Sequence, residues 1–106
     1  MTLFDENVAI VTGMENDGSD LSPSRKVDFA HVLPDRRAAE AFGEAAAREG
    51  FEVSVEEIDR QDDPWDVIPS KNMVPSAENI TEVEERLDRL AREQGGMSDG
   101  WGFERV

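Results

Sequence analysis

Arg25-Lys26-Val27-Asp28-Phe29-Ala30-His31-Val32-Leu33-Pro34-Asp35 is the stretch that decides how the rest of this chain is read. Val27, Phe29, His31 and Leu33 fall on one face of an extended segment and Asp28, Ala30 and Val32 on the other, the alternation of a half-buried strand. Pro34 closes the strand. Asp35 then stands where a helix needs its N-cap, because a short carboxylate can take up a first-turn backbone N–H that has no partner inside the helix. The predicted helix runs to about Glu49, with Ala38, Ala39, Phe42, Ala45 and Ala46 as its buried stripe and Glu44 paired with Arg48 on the wet side. Gly50 ends it, in the left-handed conformation that glycine adopts without steric cost.

Towards the C-terminus, Phe51, Val53 and Val55 alternate with Glu52, Ser54 and Glu56, which predicts a strand with one solvated face. Asp59 to Pro64 supplies a turn. A partner strand follows, with Trp65 and Val67 on one face and Asp66 and Ile68 on the other. Pro69 and the Lys71-Asn72 segment are expected to interrupt its ladder, since proline has no N–H to donate. Ser76, after Pro75, caps the longest helix, which is predicted to reach about Gln94 and to bury Ile80, Val83, Leu87, Leu90 and Ala91. Glu82/Arg86, Glu85/Arg89 and Asp88/Arg92 are spaced as helical ion pairs. Gly95-Gly96 turns the chain, and Gly100 to Arg105 is expected as a short last strand.

The opening element, Asp5 to Glu15, supports two readings. Val8-Ala9-Ile10-Val11-Thr12 has strand-like branching, whereas Phe4, Val8 and Val11, with Ile10 and Met14 beside them, form a helical stripe. Asn16-Asp17-Gly18-Ser19-Asp20 then turns the chain. From there the order is strand, helix, strand, strand, helix, strand. This is the split βαβ arrangement of ferredoxin-like α+β folds, a four-stranded antiparallel sheet with both helices on one face. A length of 106 residues suits one domain, spanning 1–106.

Composition narrows the function. There are 25 Asp and Glu against 11 Lys and Arg, a formal net charge of −14. Direct nucleic-acid binding, which requires clustered basic residues, is therefore not expected, and a basic protein surface is the partner such a field favours. The acidity has a second reading as a whole-surface trait of a salt-adapted cell. With no Cys and only His31, the usual zinc constellations are excluded. The Asn16–Asp20 turn also fails as a calcium loop: with Gly18 at loop position six, Ser24 takes the place of the bidentate Glu. His31 lies on an apolar strand face, a structural setting rather than a catalytic one. Pairs such as Glu56-Glu57 and Asp62-Asp63 read as solvated charges. No catalytic residue, cofactor or metal is expected. Met1 to Glu6 lacks the basic and apolar regions of a signal peptide, and there is no apolar run of about 18 residues. The expectation is a cytoplasmic chain without membrane contact.

The tail adds a large aromatic, Trp101, between Gly100 and Gly102. It can plug the core or anchor a partner. Asp17 and Asp20 in the acidic turn, with Asp99 and Trp101 in the tail, are the candidate partner-binding residues.

The run Gly95-Gly96-Met97-Ser98-Asp99-Gly100-Trp101-Gly102 resembles the closing motif of the regulator of ribonuclease E activity B family. Asp17-Gly18-Ser19-Asp20 is similar to that family's turn after its first helix, and His31-Val32-Leu33 to its first strand. Ala45-Ala46 through Gly50-Phe51-Glu52-Val53 is similar to its helix-to-strand corner, and Trp65, Met73, Pro75, Ile80, Leu87 and Ala91 continue the match in order. Ser98 departs from it, standing where the family often has an aromatic. The resemblance implies a helix for the opening element. It also implies a small acidic cytoplasmic protein that binds an endoribonuclease of the ribonuclease E type and lowers RNA cleavage without chemistry of its own. The alternative is an adaptor or toxin-neutralising module of the same fold. A monomer is expected, or a weak homodimer through the sheet face that the helices leave uncovered.

Overall fold

The computed structural model describes residues 2–16, 18 and 24–103. Seven elements follow one another: α1 (Leu3–Asn16), β1 (Arg25–Leu33), α2 (Arg36–Arg48), β2 (Glu52–Glu57), β3 (Trp65–Met73), α3 (Ala77–Glu93) and β4 (Met97–Phe103). The strands form one antiparallel sheet in the order β2-β3-β1-β4. This is the ferredoxin-like α+β arrangement, preceded by a helix.

The opening element is therefore helical. Thr2 and Asp5 fasten its start reciprocally, the Asp5 N–H donating to Thr2 Oγ1 (3.1 Å) and the Thr2 N–H to Asp5 Oδ2 (3.3 Å). Local branching loses to this cap and to the packing of α1 on α3. The next helix starts as its sequence dictates, with Asp35 Oδ1 accepting the Ala38 N–H at 2.8 Å. On α3, Ser76 Oγ does the same for the Asn79 N–H at 3.1 Å.

Both helices also end alike. After α2 the Gly50 N–H bonds to Ala47 O and the Phe51 N–H to Ala46 O; after α3 the Gly95 N–H bonds to Arg92 O and the Gly96 N–H to Ala91 O. Gly50 (φ +94°) and Gly95 (φ +80°) hold the left-handed position that closes each turn.

Three details differ from the sequence-based expectation. First, Pro69 does not break its strand: β3 runs through it to Met73. The β1–β3 pairing passes over Phe29 and Ala30, which face Pro69 and Ile68, and resumes in the same register, while Val53 of β2 still stands opposite Pro69. Losing a few ladder bonds is tolerable because Pro69 is fully buried and both neighbouring strands hold its backbone extended. Second, β4 begins three residues earlier than expected, at Met97; Arg105 lies outside the described residues. Third, Arg86 does not pair with Glu82 but crosses to Glu49 at the end of α2. Asp88–Arg92 forms as expected at 2.7 Å, and so does Glu44–Arg48, also at 2.7 Å.

The core lies between one sheet face and the helices. Val27, Phe29 and Leu33 of β1 and Val67 of β3 meet Ala39, Phe42 and Ala46 of α2 and Ile80, Leu87 and Ala91 of α3. Ala45, Val83 and Leu90 sit at its margin, only partly buried. The opposite sheet face is open, with Glu52, Ser54 and Glu56 exposed along β2.

A polar seam joining α1, α3 and β4

The tail is built around a bulge. Phe29 stands opposite Trp101 but His31 opposite Ser98, so β4 carries one residue more than β1 across this step. The extra residue falls at Asp99-Gly100, and Gly100 has φ +103°, which a side chain would resist. The consequence is directional. Ser98 and Trp101 are an odd number of residues apart and would face opposite sides of a regular strand. With the bulge, both share the helix-covered face, on which Phe29 and His31 lie.

Trp101 therefore packs against the core. Its indole Nε1–H donates to Asn7 Oδ1 on α1 at 3.0 Å. The Asn7 amide nitrogen in turn donates to Thr81 Oγ1 (2.9 Å) and Glu84 Oε1 (2.8 Å) on α3. Asn7 is 1% exposed, and its side chain ties three elements together. Glu84 is 7% exposed. Burial pushes its carboxyl above the ordinary range, against the lowering effect of the Asn7 amide, and the Glu6 and Asp88 carboxylates push in the same direction as burial.

Gly95 and Gly96 place β4 beside this seam for different reasons. Gly95 provides the positive φ. Gly96 provides closeness: a Cβ there would lie 2.6 Å from Val32 O and 2.8 Å from Leu33 Cγ.

His31 is the sequence-predicted core histidine. It is 1% exposed and its ring lies 4.7 Å from that of Phe42. Nδ1 is 2.9 Å from Phe29 O; a carbonyl only accepts, so Nδ1 carries the proton and Nε2 is left without a hydrogen-bond partner. Burial holds the imidazole below its ordinary pKa, outweighing the Phe29 hydrogen bond and the Asp88 and Asp99 carboxylates. The ring is closed off from solvent, as its place on the core face of β1 requires.

Of the candidate partner-binding residues, Asp99 is exposed at the bulge and Trp101 is half-buried beside it. Asp17 and Asp20 lie outside the described residues. Next to the seam, Leu3, Glu84, Glu85, Asp88, Arg92, Met97 and Ser98 line a cleft of about 300 Å³. A second concavity, of about 470 Å³, holds both lysines with Gly50, Glu52, Ser70 and Asn72. There Lys26 is engaged with Glu52 at 3.0 Å, and Lys71 lies over the Phe51 ring, 5.2 Å from its centre. Among the described residues no group of three or more Asp, Glu or His side chains could hold a metal ion, and no helix is long and apolar enough to cross a membrane.

The family model described as "Regulator of ribonuclease activity B" matches residues 4–103, from the first turn of α1 to the end of β4. The chain belongs to this family. It is thereby a regulator of ribonuclease activity, and the match takes in every element that meets at the seam. No curated protein matches the chain.

Asn7, Thr81 and Glu84 were missed as a group by sequence reasoning, although a signal existed. Asn7 interrupts the apolar stripe Phe4, Val8, Val11. Glu84 falls four residues after Ile80 and three before Leu87, on the face of α3 that turns to the core. Polar residues at such positions mark a buried network, but not its members.

Proposed function

We propose that the protein lowers RNA cleavage by binding an endoribonuclease of the ribonuclease E type through its acidic surface, without catalysing a reaction itself. The observation that carries this reading is the family match over residues 4–103 on a chain of net charge −14. A field of that sign steers a basic segment into contact and repels RNA, so the regulator acts on the nuclease rather than on its substrate. Asp99, held outward by the bulge, contributes to the docking charge together with Asp17 and Asp20. Trp101 acts by fastening the strand on which Asp99 sits. The encounter takes place in the cytoplasm, where RNA is processed.

Purified ribonuclease E from the same host, incubated with a labelled transcript and increasing amounts of the protein, tests the reading. Cleavage is expected to fall as the protein reaches stoichiometry and to recover as salt screens the contact. Unchanged cleavage together with no co-sedimentation of the two proteins at low salt would overturn it.

A further inference from the structure

The described residues expose six large apolar side chains, and four of them lie on the two outer elements of the seam: Phe4 (41%), Val8 (38%) and Ile10 (44%) on α1 and Met97 (53%) on β4. The cause is the width of the apolar arc of α1. Only the line through Asn7 and Val11 is buried, so the helix overhangs its support on both flanks. Phe4 and Val8, four residues apart, share one flank. Leu3, Ile10 and Met14, spaced by seven and four, share the other. Leu3 also lines the 300 Å³ cleft with Met97, Glu84, Glu85 and Asp88. An apolar flank therefore runs into a concavity with acidic walls.

We propose that this flank and cleft form the docking surface for an amphipathic basic segment of the partner protein, with apolar side chains on Leu3, Ile10 and Met97 and an arginine or lysine in the cleft. The inference rests on the nuclease-binding reading for the partner's identity, but not for its chemistry. Charge selects the occupant. There is no Lys or Arg before Arg25, whereas Asp5, Glu6 and Glu15 lie on α1 itself. Among the described residues that line the cleft the one cation, Arg92, is tied to Asp88 at 2.7 Å, which leaves the exposed Glu85 to be balanced. Behind it Glu84, held through its first carboxylate oxygen by Asn7, fixes the wall of the cleft. A second copy of the chain is a poor occupant, because it would bring its own α1 carboxylates against these. A cationic partner gains from both halves of the surface: the apolar flank supplies lifetime and the acidic cleft supplies register.

The test titrates isotope-labelled full-length protein with a synthetic 18-residue peptide that places leucine and arginine on opposite faces of a helix. Amide shifts are expected to concentrate at Leu3, Ile10, Glu84, Glu85 and Ser98. Ile10→Ser and Glu85→Lys, both at exposed positions, are expected to weaken binding at least tenfold, and Glu44→Lys on α2 by less than twofold. An equal loss with Glu44→Lys would reduce the attraction to general acidity and overturn the proposal. So would shifts on the open sheet face, no binding at all, or a dimer in sedimentation that Ile10→Ser abolishes. The same variants against the host ribonuclease E separate the two readings. If the peptide docks and the nuclease does not, the surface stands and the nuclease reading falls. If the nuclease binds all variants equally, the nuclease reading stands and this surface is wrong.

Discussion

The α2–α3 sandwich and the α1–β4 seam are joined to the same sheet by different physics. Between the sheet and its two helices, Phe29, Leu33, Phe42, Val67, Ile80 and Leu87 are all within 1% of full burial, and the contact is apolar apart from the His31 ring against Phe42. At the seam the fastening is one asparagine that bonds to two side chains of α3 and to the Trp101 indole, while apolar residues of α1 remain in water. Apolar packing is strong and tolerant of small displacements. A hydrogen-bonded hub is directional, so it sets the position of α1 and β4 more than it adds to overall stability. The difference separates what makes the domain fold from what shapes its outer surface.

The comparison is tested most severely by Phe42→Ala, which opens a cavity between the sheet and α2. It is expected to lower stability by about 3–5 kcal/mol in urea unfolding, with every element lost together. Gly96→Ala probes the junction of the two regions. A methyl group in contact with Val32 O must push the start of β4 off β1, at a cost of about 1–3 kcal/mol. By contrast, Gly50→Ala meets nothing within 4 Å and costs only its backbone strain, about 1–2 kcal/mol.

Asn7→Ala acts on the seam alone. It leaves Thr81, Glu84 and the Trp101 N–H without their partner, a loss of about 1–3 kcal/mol. Amide hydrogen exchange is expected to accelerate in α1 and β4 while α2 stays protected. If protection falls equally everywhere, the two regions are one cooperative unit and the seam does not act separately from the sandwich.

The smallest effect is a pH dependence. The native protein holds the Glu84 proton to higher pH than the unfolded chain does. Over that window the folded state binds more protons, so its stability declines as pH rises from the ordinary carboxylate range through the raised value. Glu84→Gln removes this decline. Its stability relative to the unsubstituted protein is expected to climb across the window and then level off, as measured by urea midpoints at a series of pH values.

Much of the frame was legible along the chain. The alternation in Arg25–Leu33, the caps at Asp35 and Ser76 and the glycines at 50 and 95 each act through neighbours a few residues away, and each does in the structure what its local chemistry requires. Arg86 shows where that reasoning stops. Its helical spacing points to Glu82, but the packing of α3 beside the end of α2 brings Glu49 to it instead. Pro69 shows the same limit from the other side: its local rule is to end a strand, and two flanking strands overrule it.

The sequence by itself determined the order of elements after the first, the caps and ends of α2 and α3 and the acidic character of the chain, because periodicity, capping and charge are carried by adjacent residues. Only the tertiary structure decided that the opening element packs as a helix on α3, that Trp101 turns inward through a bulge, and that Asn7 meets Thr81, Glu84 and Trp101. Those meetings join residues 74, 77 and 94 positions apart. No local periodicity encodes such a contact; it exists only once the sheet has brought the two ends of the chain to the same edge.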